Sequence, residues 1–209
     1  MLYALMGTAM HRVIEQADVP GAQAELRLFA DVDGWRLSGQ LDLLHDGVLS
    51  DYKMASGWEY IHGLKPEKTA QLNVLAWLCR QNGYQVDSIQ IVFLFRDWSK
   101  SKAKFDESYP QHQIATVDAQ LWSEDVCESY VRERIALHQK ARDGEYEPCS
   151  AEDRWAKPDK YAVMKTGRKS ALRVLDSREE AEEYMESSAG THIDYRPGEN
   201  VRCDTYCNA

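Results

Sequence analysis

The residues best suited to chemistry lie in the stretch 38–53, in which two apolar-rich runs flank Asp46-Gly47. Asp-Gly is one of the dipeptides most favoured in a two-residue type I′ hairpin turn. A turn at these residues places Asp42 directly across from Asp51. Two facing carboxylates repel each other, so the pair does not stabilise a fold by itself. A divalent cation reverses this repulsion, because hard ions such as Mg²⁺ bind one or two carboxylates together with water and phosphate oxygens.

The same register adds a positive charge to the face that carries the two carboxylates. Gln40 lies across from Lys53, and because side chains alternate between the faces of a strand, all four project from one side. A lysine beside such a site can orient or deprotonate a water molecule, or stabilise charge that builds on a phosphate. The alternative interpretation is a solvated hairpin with scattered charges, since Asp and Lys are common on exposed faces.

Four short motifs follow one another in the first half of the chain. In order they are Gly7-Thr-Ala-Met-His11-Arg-Val-Ile-Glu15, Gly39-x-x-Asp42, Asp51-Tyr-Lys53 and Gln71-Leu-Asn-Val-Leu-Ala-Trp-Leu. Each motif is weak alone, but together their order and spacing resemble the PD-(D/E)XK nuclease superfamily, specifically the phage-type members of its RecB-like exonuclease branch. The resemblance covers residues 5–100 and implies a metal-dependent nuclease.

The resemblance also implies a role for each residue of the site. His11, Asp42, Asp51 and the backbone carbonyl of Tyr52 would hold one or two Mg²⁺ or Mn²⁺ ions, and Lys53 would position the attacking water. Without the resemblance, a lone histidine on an amphipathic helix is more often a packed or surface residue than a metal ligand.

Two further residues are candidates for the same site. Glu25 stands where RecB-like nucleases often carry an acidic residue near the metals, although a glutamate at a strand edge is usually just solvated. Gln71 would support the site or the bound strand. The family often has a tyrosine four residues after this glutamine, but this chain has Leu75 there. Members also usually carry more sequence before the His11 helix, an element that this chain would lack.

Apolar periodicity and turn signals predict the elements that position these residues. They are a helix over 2–17, an antiparallel three-stranded meander over 24–33, 35–44 and 48–54, a helix over 66–81, a buried strand over 88–95 and a long helix over 118–143. A meander, a crossover helix and a further buried strand predict an α/β core with a mixed sheet. The resemblance implies a restriction-endonuclease-like core, in which helices flank a central mixed sheet.

The composition changes after residue 144, which predicts a nuclease core over 1–146 and a small appendage over 147–209. The appendage reads as a β-β-α-β unit. Its hairpin covers 161–175 and turns at Thr166-Gly167, Ser177 caps an acidic helix with Glu180 as the capping-box partner, and 193–196 forms a third strand.

Two basic segments are candidates for contact with DNA. The first is a predicted loop over 96–104 that carries Arg96, Trp98, Lys100 and Lys102, where the cations hold phosphates and the indole stacks on a base. The second is the hairpin of the appendage, with Lys165, Arg168 and Lys169. The alternatives are an ordinary solvated loop and a unit that only covers the core.

The cysteines divide into two groups. Cys79 and Cys127 fall within predicted helices and read as buried thiols. Cys149, Cys203 and Cys207 lie in the appendage and could hold a structural zinc or an iron–sulfur cluster. Some RecB-like nucleases bind a cluster through one cysteine before the histidine motif and three near the C-terminus. No cysteine precedes His11 here, so that arrangement is incomplete, and free thiols are the default expectation in a reducing cytosol.

Length and charge set the outer limits. The chain has 209 residues and a formal net charge of −9, which counts against a nucleic-acid binder because such proteins are more often basic. No run approaches the length of a membrane span, and the N-terminus lacks a secretory pattern. The expected location is the cytoplasm of a bacterial host cell, with no membrane partner.

The resulting prediction is a Mg²⁺- or Mn²⁺-dependent exonuclease that hydrolyses linear DNA in phage or bacterial recombination or repair. Its expected substrate is double-stranded DNA with free ends. A single-strand annealing protein is a plausible partner, and ring-forming relatives make a homo-oligomer conceivable. Two alternatives stay open: an endonuclease or structure-specific nuclease of the same superfamily, and a non-catalytic DNA-binding module.

Overall fold

The structure, a computed structural model, describes residues 2–16, 19–145 and 148–207. The chain divides into two compact units, residues 1–144 and 145–209. Across the described ranges, no helix combines the length and the apolar character that crossing a membrane requires.

The first unit is an α/β core. Its elements in chain order are α1 (Leu2–Gln16), β1 (Gln23–Ala24), β2 (Arg27–Val32), β3 (Trp35–Gln40), β4 (Leu43–His45), β5 (Val48–Ala55), α2 (Gly57–Ile61), α3 (Pro66–Gln81), β6 (Ser88–Phe95), α4 (Lys100–Phe105), β7 (Ile114–Ala119) and α5 (Glu124–Arg142). The central sheet has the order β1-β4-β5-β6-β7. Strands β5 and β6 are parallel and the other neighbours are antiparallel. This mixed sheet flanked by helices confirms the predicted fold class and is consistent with a restriction-endonuclease-like core.

The hairpin β4–β5 has the predicted register. Leu43 pairs with Ser50, and His45 pairs with Val48. Asp46 and Gly47 have φ values of 48° and 75°, as a type I′ turn requires at both central positions. Strand β5 is the middle strand of the central sheet, and it carries Asp51 and Lys53 in its central part.

The predicted three-stranded meander is wrong in its pairing. Strands β2 and β3 form a separate two-stranded sheet, in which Gln40 pairs with Arg27 and not with Lys53. The chain bends where this hairpin meets the central sheet, and Glu25 has a φ of 51° at the bend. Its backbone N–H still donates to the carbonyl of Asp42 at 2.9 Å. The left-handed backbone at Glu25 interrupts the strand. No pattern in the sequence predicted this interruption.

Helix α3 has the predicted bounds and forms the floor of the core. It lies against β2, β3, β5, β6 and α5. Burial extends around much of its circumference and includes Leu72, Trp77 and Leu78, and burying one such side chain stabilises the fold by about 1.5–3 kcal/mol. The buried Asn73 donates to the carbonyl of Gln120 at 3.0 Å and accepts from the backbone N–H of Trp122 at 2.7 Å. These bonds tie α3 to the segment before α5.

Two predictions for the second half of the core need correction: the start of the long helix and the conformation of the basic segment. Residues 114–119 form strand β7 on β6, so the long helix starts at Glu124 and not at 118. The buried positions of α5 are Cys127, Val131 and Ile135. The basic segment predicted as a loop also becomes helical at Lys100, where the Ser99 hydroxyl accepts a hydrogen bond from the N–H of Lys102.

The second unit contains the predicted β-β-α-β arrangement. Its elements are β8 (Ala156–Lys157), β9 (Lys160–Met164), β10 (Arg173–Leu175), α6 (Arg178–Glu186), β11 (His192–Arg196), β12 (Glu199–Asn200) and α7 (Val201–Thr205). One sheet has the order β10-β9-β11, and β8 pairs with β12. The Ser177 hydroxyl caps α6 by accepting from the N–H of Glu180 at 3.2 Å. The connection between β9 and β10 is the loop 165–172, longer than the predicted turn at Thr166-Gly167.

The β4–β5 turn gives a test of what fixes the register. A Cβ on Gly47 would meet the Asp87 carboxylate at 2.2 Å, whereas a Cβ on Gly63 would meet no atom within 4 Å. Both residues have positive φ values, so alanine strains the backbone at either position. We expect Gly63→Ala and Gly47→Ala each to lower the free energy of unfolding by about 1 kcal/mol. Gly47→Ala should be the more costly of the two, because the exposed Asp87 side chain must turn away from the new methyl group. Urea unfolding measures both, and equal losses would contradict this account of the turn.

Candidate metal centre

Three separate segments bring potential metal ligands together on one side of the core. Helix α1, which lies against β5, supplies His11. The bend after β1 supplies Glu25, and the segment between β3 and β4 supplies Asp42. Ligand atoms of these three side chains all lie within 4.8 Å of one another, and no other His, Cys, Asp or Glu trio does so within the described residues. The structure thus joins three predicted site residues that are far apart in sequence.

His11 is hydrogen-bonded to Glu25 and lies close to Asp42. Its Nδ1 lies 2.7 Å from Oε1 of Glu25 and 3.6 Å from Oδ1 of Asp42. The histidine side chain is 35% exposed, whereas those of Glu25 and Asp42 are 12% and 11% exposed. The acids are therefore largely removed from water while the imidazole stays reachable from outside, as an open metal site requires.

Gln40 fixes the carboxylate of Glu25. The Gln40 amide N–H donates to Oε2 of Glu25 at 2.7 Å, and its carbonyl accepts from the Arg27 guanidinium at 3.0 Å. Sequence reasoning placed Gln40 on the site face but gave it no role. Its hydrogen bond to Glu25 depends on the backbone bend at that residue, which the residue pattern did not predict.

Asp42 is in a position where its ionised carboxylate is unfavourable. The backbone N–H of Tyr52 donates to its Oδ2 at 2.7 Å. Burial raises the pKa of Asp42 despite this hydrogen bond, and the neighbouring Asp51 carboxylate raises that pKa further, while His11 and Lys53 lower it. A bound cation would favour the ionised form of this carboxyl group and offset its desolvation.

Asp51 and Lys53 form an ion pair at the edge of the same site. The Lys53 ammonium lies 3.0 Å from both Asp51 carboxylate oxygens, but only Oδ1 accepts a hydrogen bond with favourable geometry. The buried Oδ2 of Asp51 has no hydrogen-bond partner among the described residues. The Lys53 ammonium offsets part of the charge on this oxygen, and a cation would supply the direct ligand contact that the hydrogen-bond network does not.

These side chains fit a divalent cation. Carboxylate oxygens with one imidazole nitrogen suit Mg²⁺ and, still better, Mn²⁺. His11, Glu25 and Asp42 are the residues that would hold it. Asp51 lies outside this close group, as an electrostatic neighbour of Asp42, and its role as a ligand stays a prediction. The backbone carbonyl of Tyr52 lies between Asp51 and Lys53 in the chain, and its role as a ligand stays a prediction.

Gln71 lies outside this cluster. Its side chain is exposed on α3 and lines a groove that Gln40 also lines. It makes no hydrogen bond to the His11–Glu25–Asp42 cluster in the parts of the chain that the structure describes. Leu75, at the place of the family tyrosine, packs toward Gly39, where an added Cβ would meet Leu75 Cδ2 at 2.6 Å. The absence of a side chain at Gly39 therefore lets β3 approach α3.

The first basic segment follows β6 in the core. Arg96, Lys100 and Lys102 are exposed there. Trp98 is half-buried against the core, and its indole N–H donates to the carbonyl of Pro110 at 2.9 Å. The structure thus gives Trp98 a packing role, and contact of this segment with DNA stays a prediction.

The second basic segment is the loop 165–172 of the second unit. Lys165, Arg168 and Lys169 are all exposed. None of them forms an ion pair with another described residue. Their contact with DNA likewise stays a prediction.

The cysteines behave as two groups. Cys79 and Cys127 are buried, and burial raises the pKa of each thiol to about 11. Cys149, Cys203 and Cys207 are exposed free thiols. They do not form a ligand cluster with each other in the described part of the second unit, and a structural zinc or iron–sulfur cluster there stays a prediction.

No protein-family model and no curated protein matches this chain. Among solved structures, it is similar to the crystal structure of SSO0001, with a TM-score of 0.43 and 17% identity, over 64% of this chain and 60% of that one. It is also similar to a "putative exonuclease" from Eubacterium rectale, with a TM-score of 0.43 and 16% identity, over 69% of this chain and 56% of that one. The chain spans less than two thirds of the length of either protein.

The metal fit can be tested by thermal stability. A cation that binds only the folded state stabilises it by about 2.7 kcal/mol at a concentration of 100 times its dissociation constant. We expect MnCl₂ to raise the melting temperature of the wild-type protein and to leave that of Asp42→Asn nearly unchanged. Asp31→Asn, which removes an exposed carboxylate on β2, is the control and should respond as the wild type does. Equal Mn²⁺ responses in all three proteins would contradict the site.

Proposed function

We propose that this protein is a metal-dependent DNA nuclease, and specifically an exonuclease of the RecB-like, phage-type branch. The observation that carries the proposal is the convergence of His11, Glu25 and Asp42 beside the ion pair of the buried Asp51 and the half-buried Lys53. A fold gains little from assembling three acids in a half-buried site, whereas hydrolysis of a phosphodiester with a bound cation requires such a set.

The reaction is the hydrolysis of one phosphodiester bond. The oxygen of a water molecule attacks phosphorus, the bond from phosphorus to the 3′ oxygen breaks, and one proton of the water ends on the leaving oxygen. The products are a 5′ phosphate and a 3′ hydroxyl. A divalent cation held by these residues would supply Lewis acidity, which would neutralise charge on the phosphate and lower the pKa of water.

Side chains of the protein orient the water, stabilise charge and position the metal ligands. The Lys53 ammonium, 3.0 Å from the Asp51 carboxylate, has further donors with which it orients the attacking water and stabilises the phosphate charge. The Asp51 carboxylate keeps that ammonium in place. Glu25 holds His11 in one orientation, and Gln40 holds Glu25, so that the ligands are preorganised.

The proposal extends to the substrate and the setting. Linear double-stranded DNA with free ends is the proposed substrate, in phage or bacterial recombination or repair within the host cytoplasm. The exposed cations of the two basic segments offer local positive charge that the net charge of −9 conceals. A single-strand annealing protein as partner and a homo-oligomer belong to the same proposal through the family resemblance.

Two rival functions make different predictions about the same site. An endonuclease or structure-specific nuclease of the superfamily would also use Asp51 and Lys53, but it would cut DNA that has no ends. A non-catalytic DNA-binding module would bind DNA without cleaving it. The half-buried acidic set disfavours the binding module, because carboxylates repel the phosphates that such a module must hold.

Digestion of end-labelled linear and closed circular duplex DNA with Mg²⁺ or Mn²⁺ tests the proposal. We expect the wild-type protein to degrade linear DNA only. Asp51→Asn and Lys53→Met should each lower the rate about 10²- to 10⁴-fold, because each removes a group that acts on the reacting atoms.

Matched variants separate the site from a general loss of charge. Asp31→Asn and Lys65→Met remove an exposed acid and an exposed base, and both should keep wild-type rates. Cleavage of the circle would replace the exonuclease by the endonuclease. Absence of metal-dependent cleavage of either DNA, with DNA binding intact, would leave only the binding module.

A further inference from the structure

Helix α2 and the basic segment after β6 are fixed to each other at one end of the central sheet. The parallel strands β5 and β6 end side by side, with Ala55 paired to Phe95. The backbone N–H of Gly57, the first residue of α2, donates to Oδ1 of Asp97 at 2.8 Å. The two segments that follow these strands therefore form one surface of the first unit.

Trp58 is the large aromatic residue that α2 exposes on this surface. Its side chain is 64% exposed. The His62 ring stacks on it, with ring centroids 3.9 Å apart and planes inclined by 30°, and Nδ1 of His62 donates to the Trp58 carbonyl at 2.8 Å. Among the described residues, no acceptor binds the indole N–H. The imidazole thus supports the indole from one side and leaves the opposite face open to a planar ligand.

Positive charge adjoins this indole through Tyr109. A Cβ on Gly57 would meet Cε2 of Tyr109 at 2.6 Å, so that ring lies directly against the start of α2. The Lys102 ammonium lies 5.6 Å from the centroid of the same ring. Helix α4 also carries Lys100 and Lys104 and contains no acid, and all three lysines are exposed.

The acids that adjoin Trp58 are already engaged. Glu59 forms an ion pair with Lys68, and Asp97 accepts the hydrogen bond from the start of α2. An open aromatic face beside exposed lysines is the combination that binds nucleic acid, because lysines attract phosphates and an indole stacks on any base. A purely apolar partner would leave the lysines without counter-charges.

The length of the intervening chain limits how far this surface lies from the proposed reaction centre. Trp58 follows Lys53 by five residues. Because an extended chain spans at most about 3.6 Å per residue, their Cα atoms lie at most about 18 Å apart. This distance corresponds to roughly five steps of 3.4 Å along a DNA strand. DNA bound at the metal centre therefore has bases within a few nucleotides of Trp58.

We infer that Trp58 stacks on an exposed base of bound DNA, while the lysines of α4 hold neighbouring phosphates. Such a base is either unpaired or the last base of a duplex end, since the faces of internal bases are covered by their neighbours. Trp58 thereby takes the stacking role that the sequence suggested for Trp98, whose indole packs against the core. The inference rests on the proposed nuclease function for DNA as the ligand.

Fluorescence anisotropy with a short labelled duplex that carries a single-stranded overhang tests this inference. The full chain is used with a chelator present, so that metal-dependent cleavage does not interfere. We expect Trp58→Ala to weaken binding about fivefold or more and Trp58→Phe to keep most of the affinity. Trp58→Ala should leave the slope of log affinity against log salt unchanged, because it removes no charge, whereas Lys102→Gln should reduce that slope by about 0.7 to 0.9.

Trp155→Ala is the matched control. It removes an indole of the second unit that is 52% exposed and should leave affinity unchanged. A closed circular duplex has no exposed base faces, so as a competitor it should bind the wild type and Trp58→Ala equally. A blunt duplex identifies the base: a loss of affinity there indicates the terminal base, and a loss confined to the overhang indicates an unpaired one.

Three results would overturn the inference. They are equal losses in Trp58→Ala and Trp155→Ala, the same loss on the closed circle as on DNA with ends, and no binding of the overhang duplex by the wild-type protein.

Cleavage of linear DNA, measured separately with Mg²⁺, keeps the two proposals distinct. Stacking holds substrate and transition state alike, so Trp58→Ala should raise KM and leave kcat near the wild-type value. A protein that cleaves DNA but binds it independently of Trp58 overturns the stacking role and leaves the nuclease. A protein that binds DNA ends through Trp58 but cleaves nothing overturns the nuclease and leaves a nucleic-acid site on α2.

Discussion

The repulsion between buried acids is the constraint on which the rest of the core depends. The type I′ turn at Asp46-Gly47 sets the β4–β5 register, and that register brings Asp42 beside Asp51. Burial raises the pKa of Asp42 and leaves one Asp51 oxygen without a hydrogen bond in the described structure. The fold tolerates this cost because a large apolar core around α3 and β6 supplies the stability, and the proposed cation would reduce it.

The bend at Glu25 brings Glu25 and Gln40 into the candidate metal centre. A regular meander would have placed Gln40 opposite Lys53 and kept Glu25 in a strand. The left-handed backbone at Glu25 instead directs the carboxylate to His11, and Gln40 then binds that carboxylate. A non-glycine residue with positive φ is sparsely populated, and such residues cluster at functional sites. The site thus combines ligands from the central sheet, a helix and a local distortion.

Local patterns predicted the elements that depend on local interactions. Asp46-Gly47 predicted the hairpin register, apolar periodicity and turn signals predicted the bounds of α3, and Ser177 predicted the start of α6. Strand β7 was missed because residues 114–119 are only half-buried at a sheet edge, and their partner β6 determines their conformation. Asp42 followed from the hairpin register and His11 from the family resemblance, whereas the Gln40–Glu25 contact depends on a backbone bend that no local pattern encodes.

The central claim is that His11, Glu25 and Asp42 form one divalent-cation site beside Asp51. A crystal grown with MnCl₂ and measured for anomalous scattering tests this claim most directly. We expect a manganese peak within about 2.5 Å of oxygens of Asp42 and Glu25 or Asp51, with His11 among the ligands. A manganese-rich crystal with no peak between these side chains, or with His11 still bound only to Glu25, would contradict the account.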